Sequence, residues 1–210
     1  MKSPLEDRRS ADIRKRVARE AAALLYTSQE KEYKQAKKRA IQTLGVRVFP
    51  SNFEVAKELD TIAEEREGQS RQERLLQMRR AALEIMKFLT DFHPKLIGSV
   101  WRGTARQNSD IDIVTFSSAP ETVLAQLQKS NFGVAKTEWL SVTKAGKKES
   151  SFHIYLVLPS RNEAEVVVRN SERIHRLERC EIYGDVLTGL NYHQLKKILK
   201  ENPLQKFVPT

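Results

Sequence analysis

The chain has 210 residues, of which 40% are hydrophobic and 30% are charged, so it carries enough apolar side chain for a folded core and is not a typical disordered chain. Its formal net charge of +10 favours a polyanionic partner such as a nucleic acid or a nucleotide, and the excess is divided equally between residues 1–92 and 93–210. The single cysteine, Cys180, excludes an internal disulfide, no apolar run reaches the ~20 residues of a membrane span, and no signal-peptide core is found, so a cytoplasmic protein without membrane contact is predicted.

Residues 1–70 are predicted to form a helical region. Apolar side chains recur at helical spacing over residues 11–25. Three capping-box patterns follow, each a Ser or Thr with Glu three residues later, and each precedes an apolar stripe. They begin at Thr27, Ser51 and Ser70. The first of these helices is predicted to end near Gly45 and the second near Gly68.

Residues 71–210 are predicted to form an α+β domain, a mixed sheet flanked by helices. The predicted strands are Lys95–Gly98, Ile111–Phe116, Val134–Val142, Phe152–Leu158 and Ala164–Val168. A turn at Ala145–Lys148 makes the third and fourth strands a hairpin. Helices are predicted over Pro120–Lys129 and Leu195–Leu199, the second opened by Asn191 with Gln194.

The segment Leu-Ile-Gly-Ser-Val-Trp-Arg-Gly, residues 96–103, ends a predicted strand in a Gly-Ser turn. Gly98 lets the backbone approach a phosphate closely, and the Ser99 hydroxyl and nearby amides can donate to its oxygens. Arg102 adds a planar positive group that suits the same anion. These three residues are the predicted nucleotide-binding set.

Asp110 and Asp112 lie on the next predicted strand. Residues two apart on a strand point to the same face, so the two carboxylates project together while Ile111 and Ile113 face the core. Neighbouring carboxylates repel each other unless a cation lies between them, and Mg²⁺ or Mn²⁺ is the natural candidate. An Asp-x-Asp alone often marks only a turn, but a phosphate-binding turn beside it indicates metal-assisted nucleotidyl transfer. The two aspartates are therefore the predicted catalytic metal ligands.

Gly98-Ser99, the basic loop that follows and Asp110-Ile111-Asp112 resemble the signature of the DNA polymerase β-like nucleotidyltransferase superfamily, over roughly residues 83–170. The resemblance implies that Ser99 and Arg102 contact the triphosphate of a nucleotide substrate. It also implies that two metal ions are held by Asp110 and Asp112. The helical N-terminus and the tail over residues 183–190 suggest an archaeal branch.

Members of that superfamily that extend a 3′-hydroxyl carry a third carboxylate on a neighbouring strand, and the equivalent position here is His153. The imidazole could serve as a ligand or a base, which would favour Mn²⁺ or Zn²⁺ over Mg²⁺. A different acid, Glu149 or Glu165, could fill the role instead. The third interpretation is a site that has lost catalysis and kept binding. His153 is therefore a candidate catalytic residue.

Basic residues concentrate around Tyr33, and Lys31, Lys34 and Lys38 recur about one helical turn apart. Such a row can follow a nucleic-acid backbone with the tyrosine available for stacking, and a solvated helix face is the alternative.

Three functions are compatible with these patterns. The first is an enzyme that transfers a nucleoside monophosphate from a nucleoside triphosphate to a hydroxyl, with an RNA or DNA end favoured as acceptor by the net charge. The second is a catalytically inactive nucleotide- or nucleic-acid-binding module of the same fold. The third, a structural scaffold, conflicts with the joint presence of Gly98, Ser99, Arg102 and both aspartates.

Overall fold

The computed structural model describes residues 4–130, 132–144, 147–159 and 162–209. The chain divides into two compact units. The first comprises Met1–Gly68 and Arg179–Asp185, and the second comprises Gln69–Glu178 and Val186–Thr210. The boundary between Gly68 and Gln69 lies two residues before the one predicted after residue 70. The sequence did not predict that Arg179–Asp185 belongs to the first unit.

The first unit is helical. Its helices are α1 (Pro4–Tyr26), α2 (Tyr33–Leu44) and the first part of α3 (Asn52–Phe88). They share a core of small and branched apolar side chains, because the apolar stripe of each helix faces the others. This core includes Val17, Ala21, Leu25, Ala36, Ala40, Val55 and Ile62.

Of the capping boxes predicted at Ser51 and Thr27, only the first forms. Ser51 and Glu54 do form a capping box, since the Glu54 amide donates to the Ser51 hydroxyl at 3.1 Å and the Ser51 amide donates to the Glu54 carboxylate at 2.6 Å. The box predicted at Thr27 is wrong. The Thr27 hydroxyl donates to the Ala23 carbonyl at the end of α1, and α2 begins at Tyr33 without a side-chain cap.

Helix α3 is interrupted at Gly68, where φ is 49° and ψ is −128°. An L side chain rarely adopts this conformation, so glycine is the residue that permits the break predicted from the sequence. The part of α3 after Gly68 belongs to the second unit and packs its apolar side against the sheet, through residues that include Leu75, Met78, Ile85, Met86 and Leu89.

The second unit contains a six-stranded mixed sheet with the order β3-β4-β5-β2-β1-β6. The strands are β1 (Lys95–Ile97), β2 (Ile111–Phe116), β3 (Gly133–Lys144), β4 (Lys147–Val157), β5 (Glu163–Arg169) and β6 (Leu190–Asn191). The helices between and after them are α4 (Gly98–Arg102), α5 (Pro120–Gln128) and α6 (Tyr192–Glu201). Strand β2 pairs with β5 in parallel, and the remaining neighbours pair antiparallel.

The predicted fold class, an α+β mixed sheet flanked by helices with a helical N-terminal region, is confirmed. Of the hairpin turn predicted at Ala145–Lys148, Ala145 and Gly146 lie outside the described residues. The Asn191–Gln194 capping box is present and opens α6. In the described part of the chain, no helix combines the length and apolarity that crossing a membrane requires.

Candidate active site

Two carboxylates face each other across the parallel pair at the centre of the sheet. Asp112 on β2 is in register with Glu165 on β5. Their neighbours in sequence, Ile111, Ile113 and Ala164, are buried on the opposite face, so the alternation of the pleat directs both acids to the same polar face. The prediction that Ile111 and Ile113 face the core is confirmed.

Asp110 immediately precedes β2 and is more exposed than Asp112. Burial raises the pKa of Asp110, and the negative charges of Glu165 and Glu163 act in the same direction. The side chains of Asp110, Asp112, Glu163 and Glu165 therefore form one electrostatically coupled group at this end of the sheet.

The strongest effect falls on Asp112. Burial, followed by the charges of Asp110 and Glu165, raises the pKa of Asp112 to about 8. A carboxyl group in this environment is stabilised in its ionised form by an added cation. The site thus combines carboxylate oxygen donors with mutually repelling acidic groups.

Helix α4 places Gly98 and Ser99 against this group. Ile97, the last residue of β1, is in register with Asp112, and Gly98 follows with φ 69°. A Cβ atom at Gly98 would lie 1.9 Å from the Asp112 Oδ2 atom, so only glycine fits there. The Ser99 hydroxyl is half-buried and has no hydrogen-bond partner among the described residues.

Arg102 does not reach this polar face. Its side chain is 3% exposed, its Nη1 atom donates to the Phe207 carbonyl at 2.8 Å, and its guanidinium stacks on Trp101 at 4.5 Å. A phosphate needs an accessible guanidinium. The structure therefore does not support the predicted contact between Arg102 and the nucleotide.

His153 lies one strand farther from the aspartates than the sequence pattern implied. The expected alignment required β4 to border β2, but β5 inserts between them and His153 is in register with Val167. The His153 Nδ1 atom instead bonds with the Glu165 carboxylate at 2.6 Å, and its Nε2 atom bonds with the Ser151 hydroxyl at 2.8 Å. His153 therefore contacts Glu165, one of the two acids considered as alternatives to it.

Glu165 has a second neighbour, Tyr155 on β4, which is directly in register with it. The Tyr155 hydroxyl hydrogen-bonds with Glu165 and Glu138, and burial together with these acids raises the Tyr155 pKa. The imidazole and the phenol thus hold the Glu165 carboxylate from the β4 side. The other acid considered, Glu149, is bonded to Arg173 at 2.7 Å and to Arg176, which accounts for its lowered pKa.

A cavity of about 400 Å³ opens beside the carboxylates. Its lining includes Asp110, Lys136, Glu138, Tyr155, Glu163 and Glu165. Lys136 pairs with Glu138 at 2.7 Å and lies over the Tyr155 ring at 5.3 Å. The cavity therefore offers aromatic, cationic and anionic groups next to the coupled acids.

The carboxylate donors fit a metal ion that takes its remaining ligands from substrate and water. Within the described ranges, no group of three or more His, Cys, Asp and Glu side chains is arranged to hold a metal by itself. Mg²⁺ is usually bound by one or two carboxylates, with substrate phosphates and waters as its other ligands. The raised pKa of Asp112 and the coupling of Asp110, Asp112 and Glu165 suit a cation of that kind.

The predicted nucleic-acid-binding lysines belong to the first unit. Lys34 and Lys38 lie one turn apart on α2, whereas Lys31 precedes that helix. All three side chains are exposed, and none forms an ion pair with another residue in the described part of the chain.

A family model described as a nucleotidyltransferase domain matches residues 79–201, which span the Gly-Ser helix, both aspartates and Glu165. The chain belongs to the nucleotidyltransferase domain family. No curated protein sequence matches the chain.

Solved structures of the Cid1 poly(U) polymerase are similar to the nucleotidyltransferase chain at low identity. One shares 21% identity, covers 48% of this chain and 32% of the polymerase chain, and has a TM-score of 0.32. Another, in complex with the UTP analogue UMPNPP, shares 18% identity and has a TM-score of 0.32. It covers 56% of this chain and 37% of the polymerase chain. The matched part spans only about a third of the polymerase chain.

Sequence reasoning left the identity of the third acid open and missed Tyr155 and Glu163. The signal that could have favoured Glu165 over Glu149 and His153 is its spacing from Glu163, which repeats the spacing of Asp110 and Asp112 on the paired strand.

Replacement of Gly98 by alanine should destabilise the protein more than a strained glycine position alone would. Gly45→Ala is the matched control, because Gly45 has φ 62° and a Cβ atom there would meet no atom within 4 Å, whereas a Cβ atom at Gly98 would meet Asp112. We expect a loss of about 1 kcal/mol for the control, with a further 1–3 kcal/mol, roughly, for Gly98→Ala. Urea unfolding measures both, and equal losses would contradict the close approach.

Asp112 should make the metal-free protein less stable as the pH rises. Since the folded pKa is about 8 and the ordinary value is 3.8, the unfolded chain releases the proton first, and stability falls from about pH 4 to about pH 8. Asp112→Asn removes this loss, at about 1.4 kcal/mol per pKa unit. Urea unfolding in a chelator at pH 5, 6.5 and 8 should show a growing advantage for the variant. A constant difference would contradict the shift.

Proposed function

We propose that the protein is a metal-dependent enzyme that transfers a nucleoside monophosphate from a nucleoside triphosphate to a hydroxyl acceptor and releases pyrophosphate. The observation that carries the proposal is the register of Asp112 with Glu165, beside a helix that begins with Gly98-Ser99. Family membership supports nucleotidyl transfer in general.

Asp110, Asp112 and Glu165 are the proposed catalytic metal ligands in this chain. Mg²⁺ or Mn²⁺, when bound, would neutralise negative charge on the phosphates and on the acceptor oxygen. The carboxylates project from two paired strands, so the sheet fixes their spacing before substrate arrives. The sequence left three candidates for the role of the third carboxylate, His153, Glu149 and Glu165. We assign that role to Glu165.

His153 and Tyr155 act on Glu165 and not on the substrate in this proposal. The His153 Nδ1 atom is hydrogen-bonded to the carboxylate and its Nε2 atom to the Ser151 hydroxyl, and the two bonds fix the ring. The imidazole and the phenol restrict the Glu165 carboxylate from the β4 side. His153 is thus a positioning residue.

Gly98 and Ser99 are the proposed contacts for the triphosphate. Gly98 lets α4 approach Asp112 closely, and the Ser99 hydroxyl has no described protein partner to compete with a phosphate oxygen. Arg102 is left out of this set because its guanidinium is buried against Phe207.

The proposed acceptor is the end of an RNA or DNA strand. A net charge of +10 favours a polyanion, and Lys31, Lys34 and Lys38 are exposed without ion-pair partners among the described residues. The cavity next to Asp110 and Glu165, with Tyr155 and Lys136 in its wall, gives an acceptor nucleotide access to the carboxylates.

Pyrophosphate release from the four ribonucleoside triphosphates, with Mg²⁺ and then Mn²⁺ and with added RNA, tests the proposal. Glu165→Gln should lower kcat by about 10²–10³-fold, because one preorganised charged group is lost. His153→Ala should lower it by about 10–100-fold, since a group that orients a ligand is lost. Glu149→Gln is the matched control and should keep the wild-type rate, as its carboxylate is bonded to Arg173 and Arg176.

Loss of activity in Glu149→Gln with full activity in Glu165→Gln would contradict the assignment of the third acid. Nucleotide binding without pyrophosphate release under any of these conditions would identify the catalytically inactive module instead.

Replacing Lys31, Lys34 and Lys38 together by glutamine should weaken binding of single-stranded RNA and reduce its salt dependence. For each phosphate that the protein no longer neutralises, the slope of log K against log salt becomes shallower by about 0.7 for a single strand. The control replaces Lys196, Lys197 and Lys200, three lysines of α6. Fluorescence anisotropy at several salt concentrations measures both slopes, and an unchanged slope for the variant at Lys31, Lys34 and Lys38 would rule out this surface.

A further inference from the structure

Arg79 is a buried cation that the proposed mechanism does not use. It lies on the part of α3 that belongs to the second unit, its side chain is fully buried, and no carboxylate pairs with it among the described residues. Burial lowers its pKa to about 10. A charge in this position costs free energy that its hydrogen bonds must offset.

All four hydrogen bonds of the Arg79 guanidinium go to backbone carbonyls. Two carbonyls belong to α4, those of Val100 at 3.1 Å and Trp101 at 2.9 Å. These are carbonyls of the last turn, which a helix leaves without internal partners. The other two belong to Pro203 at 2.6 Å and Gln205 at 2.8 Å.

We call residues Pro203–Phe207 the C-terminal strap. Besides the link through Arg79, the strap forms direct hydrogen bonds with α4. The Phe207 amide donates to the Arg102 carbonyl at 2.9 Å, and the Arg102 guanidinium donates to the Phe207 carbonyl at 2.8 Å. Gly103, which ends α4, lies so close that a Cβ atom there would be 2.9 Å from the Gln205 carbonyl oxygen. The strap therefore contacts the end of α4 that is remote from the carboxylates.

The opposite end of α4 carries Gly98 and Ser99. A helix of five residues is only about 7.5 Å long, so a shift at its last turn is transmitted to its first. A Cβ atom at Gly98 would collide with the Asp112 carboxylate, so the first turn of α4 lies close against Asp112. The placement of Ser99 thus depends on how the last turn is held.

We propose that Arg79 and the C-terminal strap are positioning elements of the nucleotide site, which set the distance between Ser99 and Asp112 and so control affinity for the triphosphate. This inference rests on the proposed function for the identity of the ligand.

Gly103→Ala tests the strap, and Gly184→Ala is its matched control. Both glycines have φ 74°, so both variants carry the same backbone strain, but only the Gly103 position meets the strap while the Gly184 position meets no atom within 4 Å. Arg79→Lys is a second variant, which keeps the positive charge but cannot form all four hydrogen bonds to the backbone carbonyls. Affinity for a nonhydrolysable ATP analogue with Mn²⁺ is measured by calorimetry at a temperature where urea titration shows each variant folded.

We expect Gly103→Ala and Arg79→Lys to bind the analogue at least 10-fold more weakly than wild type, and Gly184→Ala to stay within twofold. Wild-type affinity in both test variants would overturn the proposal and leave the proposed function intact. If the wild type binds no triphosphate, the proposed function fails. Amide hydrogen exchange then tests separately whether the C-terminal strap holds α4 in position. Exchange over residues 98–104 at least 10-fold faster in Gly103→Ala than in Gly184→Ala supports positioning, and equal exchange overturns it.

Discussion

The parallel pairing of β2 with β5 is the constraint on which the rest of the site depends. It brings Asp112 and Glu165 into register on one face of the sheet while Ile111, Ile113 and Val166 fill the core on the other. Burial disfavours the ionised form of Asp112, and the like charges of Asp110 and Glu165 add to that cost, which is why the Asp112 pKa rises to about 8. The apolar face holds the strands together against that repulsion. A divalent cation would therefore favour the ionised form of these carboxyl groups, and nucleotide phosphates can supply its other ligands.

The remaining contacts fix the groups around this pair. His153 and Tyr155 hold Glu165 from β4, and Gly98 lets the first turn of α4 approach Asp112. Arg79 holds the last turn of the same helix by its carbonyls. These contacts constrain the positions of groups around the pair, as expected where catalysis depends on preorganised charge.

Much of the fold was predictable because its elements are encoded locally. Strand β2 matches its predicted bounds, and the Ser51 and Asn191 caps form as predicted, since both depend on residues three apart. The family signature found Gly98, Ser99 and both aspartates for the same reason. Contacts at long range were not predicted. His153 was placed opposite the aspartates, whereas β5 lies between β4 and β2. Arg102 was assigned to phosphate, and it bonds with Phe207, 105 residues away. Local spacing cannot specify either contact.

In the proposed function, Asp110, Asp112 and Glu165 together bind the metal ions of a bound nucleotide. The most direct measurement is anomalous diffraction from crystals grown with Mn²⁺ and a nonhydrolysable nucleoside triphosphate. We expect manganese peaks within ligand distance of the Asp110, Asp112 and Glu165 oxygens, with the triphosphate beside Ser99. Manganese bound at His153 with Glu165 outside its coordination sphere, or a triphosphate seated away from α4, would contradict the claim.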